Sequence, residues 1–231
     1  KVYDGTSAYT VPAGSTLTAN TGELVGTDAS KIQFAISGNG AKFMKTDGLT
    51  ETANVADARK VAYNITVSGD SDTIRNYTLN GQNLESGNLT ASGDGEITRR
   101  ALNLNLVQST GIDKEYDGQT TLKNTATKNW NALTDNDSAG NVQYATGSNK
   151  LVNDGTSFTI TSNYRNDGNT APDKNVRRDG SNNPIDKDIL YNITLNGDAT
   201  NYSFDKNGIV TDAESGLTLS AKGTTTPKDL S

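Results

Sequence analysis

Three phrases recur in one order along this chain, and internal repetition constrains architecture before any single residue does. Lys1-Val2-Tyr3-Asp4-Gly5-Thr6 returns as Lys114-Glu115-Tyr116-Asp117-Gly118-Gln119-Thr120. Tyr63-Asn64-Ile65-Thr66-Val67-Ser68-Gly69 returns as Tyr191-Asn192-Ile193-Thr194-Leu195-Asn196-Gly197. Asn76-Tyr77-Thr78-Leu79 returns as Asn201-Tyr202-Ser203-Phe204. An ordered triple recurrence favours an array of modules over an enzyme built around one cleft.

The spacing locates what differs between the copies. The first phrase repeats after 113 residues (116 − 3) and the second after 128 (191 − 63). Val55-Ala56-Asp57 resembles Ala171-Pro172-Asp173 at an interval of 116 (173 − 57), so most of the extra length falls at about 174–188. That stretch is polar and carries Asp-Gly and Asn-Pro breakers, which predicts a surface loop or an extended hairpin tip. Gly95 to Leu102 loosely matches Gly223 to Leu230. Two modules follow, 1–104 and 105–231, with little linker between them.

Of the 231 residues 32% are hydrophobic, and Asn, Thr, Ser, Gly and Asp dominate the remainder. Such polarity would suit a disordered chain, but nine tyrosines and recurrent apolar alternation argue for long, thin β modules. The chain contains neither Cys nor His. Disulfides, thiol chemistry, zinc-thiolate sites, Ser-His-Asp triads and His-metal sites are therefore excluded. A net charge of −6 disfavours nucleic-acid phosphates and anionic membranes as partners. No run is long enough to span a membrane as a helix, and no signal peptide is visible. The chain reads as an excised piece of a longer protein.

Period-two alternation predicts strands at 9–11, 31–36, 61–67, 77–79, 101–107, 157–161, 190–195 and 216–220. In 101–107, Leu102, Leu104 and Leu106 share one face, and Asn103 and Asn105 the other. Turn signals separate the strands, among them Asn80-Gly81 and Asn153-Asp154-Gly155. Glu51 to Arg59 holds good helix formers, although a short turn or loop suits it as well. The expected class is all-β: two tandem β-sandwich-like or β-grasp-like modules in an elongated arrangement.

The phrases resemble the YDG repeat of large bacterial surface adhesins of the filamentous-haemagglutinin-like class. Modules of that family open on Lys-x-Tyr-Asp-Gly-Thr, as at Lys1 to Thr6 and Lys114 to Thr120. A middle phrase is clear at Asp173-Lys174-Asn175-Val176 and eroded at Asp57 to Val61, and the Asn-Tyr phrase is clear in both copies. The resemblance covers nearly the whole chain as two modules, and the insert after Val176 departs from it. It implies a secreted or cell-surface location, tandem stacking into a stalk or fibre, and no catalytic site.

The opening phrase also has a physical reading of its own. Tyr3 and Tyr116 supply half-buried rings. Asp4 and Asp117 can accept from their own backbone two residues on, and Gly5 and Gly118 permit positive φ. The motif is thus a strand end with a tight turn, and a structural role outweighs direct ligand contact. Tyr77 and Tyr202 are expected in the core or at a module junction.

Among candidate chemistries, carboxylates are plentiful, but nothing marks one glycosidase-like pair as convergent. Asp135 and Asp137 alternate with Asn136, Ser138 and Asn141 in a stretch faintly like a calcium loop, without the closing bidentate Glu. Asp70-Ser71-Asp72 is a thinner case. A solvated acidic turn is the preferred reading of both, and no cofactor is expected. A Lys–Asn isopeptide staple and glycosylation at Asn64, Asn76, Asn88, Asn192 or Asn201 stay open. Arg177 and Arg178, an exposed basic pair on an acidic chain, are a candidate contact for a carboxylate-bearing glycan or a surface protein. Trp130 would support carbohydrate binding if exposed beside Tyr144 or Tyr164. The favoured function is a stalk or spacer in cell adhesion; the alternative is a ligand-binding adhesin module. The expected state is a monomer whose partners are neighbouring modules.

Overall fold

A computed structural model describes the chain except residues 21, 38–39, 123–127, 131–140, 167 and 169–170, and describes 128–130 as backbone only. It is all-β: strands make up 40% and helices 6%, with no helix of seven residues or more among the described residues. The chain divides into two units, Lys1–Thr98 and Arg99–Ser231. The division falls ahead of the expected 104/105 boundary, so the leucine-rich stretch after Thr98 belongs to the second unit.

The first unit holds β1 (Ile32–Ile36), β2 (Lys42–Met44), β3 (Lys60–Gly69), helix α1 (Ser71–Ile74), β4 (Thr78–Leu79), β5 (Gln82–Asn83) and β6 (Leu89–Asp94). β3 is the central strand. β1 and β2 pair antiparallel with successive halves of one edge, Phe34 opposite Val67 and Phe43 opposite Val61. β6 takes the other edge, with Ile65 opposite Leu89. Alternation sends Val61 and Ile65 inward, where Ile32, Ile74, Leu84 and Leu89 meet Ile65. β4 and β5 form a two-residue hairpin at Asn80-Gly81, both at positive φ (52° and 78°), the combination a type I′ turn requires.

The second unit holds β7 (Arg100–Leu102), β8 (Leu104–Leu106), β9 (Lys114–Glu115), β10 (Lys128–Trp130), β11 (Val142–Tyr144), β12 (Ser157–Arg165), β13 (Lys187–Asn196), β14 (Tyr202–Lys206), β15 (Ile209–Asp212), β16 (Leu217–Gly223) and β17 (Thr225–Thr226). Its main sheet runs β10-β12-β13-β16. Phe158, Ile160 and Tyr164 of β12, Ile189, Tyr191 and Ile193 of β13, and Leu219 and Ala221 of β16 line one buried face. β14 pairs with β15 and, in parallel, with β7.

The pairing of β13 with β16 reproduces that of β3 with β6 at the constant interval of 128: Ile193 faces Leu217 as Ile65 faces Leu89. β12 does alone what β1 and β2 do together. Phe158 faces Leu195 as Phe34 faces Val67, and Tyr164 faces Ile189 as Phe43 faces Val61. α1 is capped by Asp70, which accepts from the Thr73 N–H at 2.9 Å.

Two sequence expectations need correction, and one left open is decided. Tyr9 to Val11 is no strand: it has only the neighbouring bridge of Ala8 to Lys42 and a hydrogen bond from Tyr9 N–H to the Ala41 carbonyl, 2.9 Å. Residues 101–107 are two strands rather than one, because the chain changes partner at Asn103, from β14 to β11. At Glu51 to Arg59, where the sequence leaves helix and turn both open, the chain takes the turn, at 55–57, with the Ala58 N–H on the Asn54 carbonyl at 3.0 Å.

Candidate functional site

The recurring opening phrase builds the same constellation in each unit. Asp117 Oδ1 accepts from the Gln119 N–H at 2.9 Å, and Asp4 Oδ1 from the Thr6 N–H at 2.9 Å. Gly118 and Gly5 sit between at φ 77° and 80°, where a side chain would be strained. The turn folds the following residues back over the lysine that precedes it. Lys114 Nζ donates to Asp117 Oδ1 (2.8 Å), the Gln119 carbonyl (2.7 Å) and the Thr121 carbonyl (2.8 Å). Lys1 Nζ donates to Asp4 Oδ1 (2.7 Å), the Thr6 carbonyl (2.7 Å) and the Ala8 carbonyl (2.8 Å).

Each ammonium also lies over an aromatic ring. Lys114 Nζ is 5.3 Å from the centroid of Tyr164, and Lys1 Nζ is 5.6 Å from that of Phe43. Tyr164 and Phe43 are the residues that share one register position in the two sheets. The Lys114 side chain is 3% exposed. A lysine so buried is tolerated only when its three protons find acceptors.

Electrostatics agree with the geometry. The hydrogen bond from Lys114, joined by that of the Gln119 N–H, holds the Asp117 carboxyl below the usual range. Burial opposes ionisation of Asp4, but the Lys1 and Thr6 hydrogen bonds outweigh it and lower this carboxyl too. Burial pushes the Tyr164 hydroxyl above its ordinary value, with the Asp113 charge adding to the effect; the hydroxyl donates to the Ile112 carbonyl.

The same phrase closes each unit. Tyr116 N–H donates to the Thr226 carbonyl at 2.9 Å, and β9 lies parallel to β17. Tyr3 N–H donates to the Thr98 carbonyl at 2.9 Å, and Val2 bridges Thr98 in parallel. In each unit the opening phrase is thereby tied to the closing segment.

The Asn-Tyr phrase is a second recurring device. The Tyr202 hydroxyl accepts from the Val152 N–H (3.2 Å) and donates to Asp154 Oδ2 (2.7 Å). That of Tyr77 accepts from the Val25 N–H (2.8 Å) and donates to Asp28 Oδ2 (2.9 Å). Tyr202 is fully buried and Tyr77 half-buried.

Where the units differ, the insert forms a hairpin. Arg178 bridges Pro184, and Asp179 Oδ1 accepts from the Ser181 and Asn183 N–H groups at 2.9 and 2.8 Å. Lys187 and Asp188 are already strand residues of β13, which confines the hairpin to 174–186. Arg177 donates to the Asp186 carbonyl (2.9 Å) and Arg178 to the Asn182 carbonyl (2.6 Å). At the hairpin base, Lys187 is 0% exposed and donates to the Asp173 and Asn175 carbonyls at 2.6 and 2.7 Å. Burial lowers its pKa, and the Asp173 carboxylate partly offsets this.

Asp135 and Asp137 lie outside the described residues, and no group of three or more potential metal ligands forms among those described. Asp70 is spent on its helix cap. Tyr144 and Tyr164 are core residues, 3% and 0% exposed, and offer no platform for a sugar; the side chain of Trp130 is not described. Asn201 is 1% exposed, so a folded chain could not carry a glycan there.

Sequence reasoning assigned no role to Lys1, Lys114, Phe43 or Lys187. The fixed spacing of Lys three residues before Asp in both copies was the available signal for the first two. No family model, no curated protein and no solved structure matches this chain.

Proposed function

We propose that the chain is a structural portion of a secreted bacterial surface adhesin, serving as a stalk or spacer in cell adhesion and carrying no catalytic activity. The recurring lysine cage supports this reading more than any other feature. The groups that recur are consumed in holding each unit shut: the ammonium protons are donated, the Asp carboxylates are bonded, and the rings are covered. Such a device, present twice in one chain, serves mechanical integrity, and the groups that build it are not available to a substrate. The proposed neighbours are further modules of the same kind, and the proposed state is monomeric. No helix among the described residues is long and apolar enough to cross a membrane.

One observation favours a second reading. The 174–186 hairpin is ordered by its own bonds and places Arg178 in solvent, where a carboxylate-bearing glycan or surface protein could meet it. A single experiment separates the two: purified chain on glycan arrays and on host-cell surfaces. The spacer reading expects no saturable binding. Saturable binding that vanishes when 175–185 is replaced by a short Gly-Ser turn would overturn it in favour of the hairpin.

A further inference from the structure

In the second unit, the β7–β8 segment fills a specific place. β7 lies parallel to β14, with Leu102 opposite Phe204, and β8 lies antiparallel to β11, with Leu104 opposite Tyr144 and Leu106 opposite Val142. Leu102 and Leu104 are 0% and 3% exposed. Phe158, Ile160 and Phe204 of this unit are also buried.

The first unit has the walls of this place without the strand. Leu79 of β4 corresponds to Phe204, two residues after the shared tyrosine. Leu17 and Ala19 correspond to Val142 and Tyr144: each pair precedes the same turn, Glu23 N–H to Asn20 carbonyl (3.1 Å) and Ser148 N–H to Ala145 carbonyl (2.9 Å). Between these walls runs a groove of about 620 Å³ lined by Leu17, Ala19, Leu24, Phe34, Tyr77 and Leu79. Phe34, Ile36 and Leu79 are only half-buried where their counterparts Phe158, Ile160 and Phe204 are buried. No described strand of this unit pairs with Ser15 to Asn20. Thr16 to Ala19, which pair with no described strand, run beside a groove that presents both apolar and polar side chains, and such an edge is a surface that accepts an added strand.

We propose that this groove is an acceptor for one extended segment from another module of the same kind, a strand with leucine at alternate positions as in Leu102-Asn103-Leu104-Asn105-Leu106. The strand enters parallel to β4 and antiparallel to Ser15–Asn20, leucines facing Phe34 and Leu79 and asparagines facing water. Modules would then be joined by a shared strand rather than by surface contact alone. This stands on the groove and its filled counterpart, and does not depend on the adhesin reading.

The test is an NMR titration of the ¹⁵N-labelled full chain with a synthetic peptide of residues 99–107. Saturable amide shifts are expected at Ser15 to Asn20 and Tyr77 to Asn80. A peptide with Asn in place of Leu104 and Leu106 should bind at least about tenfold more weakly, since it loses two apolar side chains, one buried and one half-buried in the filled counterpart. Absence of saturable shifts up to about 1 mM peptide overturns the proposal. So do shifts confined to the second unit, or equal binding of the Asn-substituted peptide.

Discussion

Lys114 is the residue on which the second unit's opening turn depends. An uncompensated buried ammonium costs several kcal/mol, and here three oxygens and the Tyr164 face offset that cost. Replacing Lys114 by Met should keep the stem's packing and lose the hydrogen bonds. Asp117 has a side chain 32% exposed and can regain water, so the expected loss is about 2 kcal/mol rather than the larger value for a fully buried pair. Arg should not rescue it, because a planar guanidinium does not fit a cup of converging carbonyls. Urea unfolding of the two variants measures both effects.

The same carboxylates set the acid response. Asp4, Asp117 and Asp173 lie below the ordinary range, and the Thr50 hydroxyl with the Thr50 and Leu49 N–H groups brings Asp47 to about 2. A carboxyl with a depressed folded pKa adds stability above its unfolded value and loses it as pH falls through the folded one. Stability should therefore be level above roughly pH 5 and fall progressively from about pH 4 downward. Asp117→Asn should make that slope shallower, and urea midpoints from pH 2 to 6 would reveal a slope left unchanged. Turn chemistry of this kind is local and legible, because Asp and Gly stand side by side in the chain. The aromatic floor is not. Phe43 and Tyr164 are 121 residues apart (164 − 43), an interval shared by no repeated phrase, and only sheet pairing brings them under the lysines.

At the scale of elements, β3–β6 and β13–β16 keep one register but exchange charges. Lys60 reaches Asp94 at 2.8 Å, and at the corresponding positions Asp188 meets Lys222 at 2.6 Å. Cross-strand pairs on a solvent face depend on complementarity more than on which strand carries which sign. The double exchange Asp188→Lys with Lys222→Asp should change stability by less than about 0.5 kcal/mol, whereas either single change should cost more. A thermal-unfolding cycle measures this; a large cost for the double exchange would show that the pair is not interchangeable. Alternation identified the long strands because each has a buried face to satisfy. It failed at Tyr9 to Val11, where three alternating residues gain one backbone hydrogen bond, from Tyr9 to Ala41, and at Asn103, where alternation continues while the backbone changes partners. Periodicity reports which side chains seek the core and is silent about the neighbouring strand.

At the scale of the whole molecule, each unit bonds its opening phrase to its closing segment, so each should hold its own structure. The repeated phrases lead to an expected boundary at 104/105, and the chain divides at Thr98/Arg99. The groove of the first unit left no trace in the sequence, since it exists only by comparison with its filled counterpart. The most direct measurement is native-state hydrogen exchange on the full chain carrying Lys114→Met. Loss of protection within Arg99–Ser231, with protection in Lys1–Thr98 unchanged, is the expected result of two units closed separately by the same device. Equal loss in both units, or no loss in either, would contradict it.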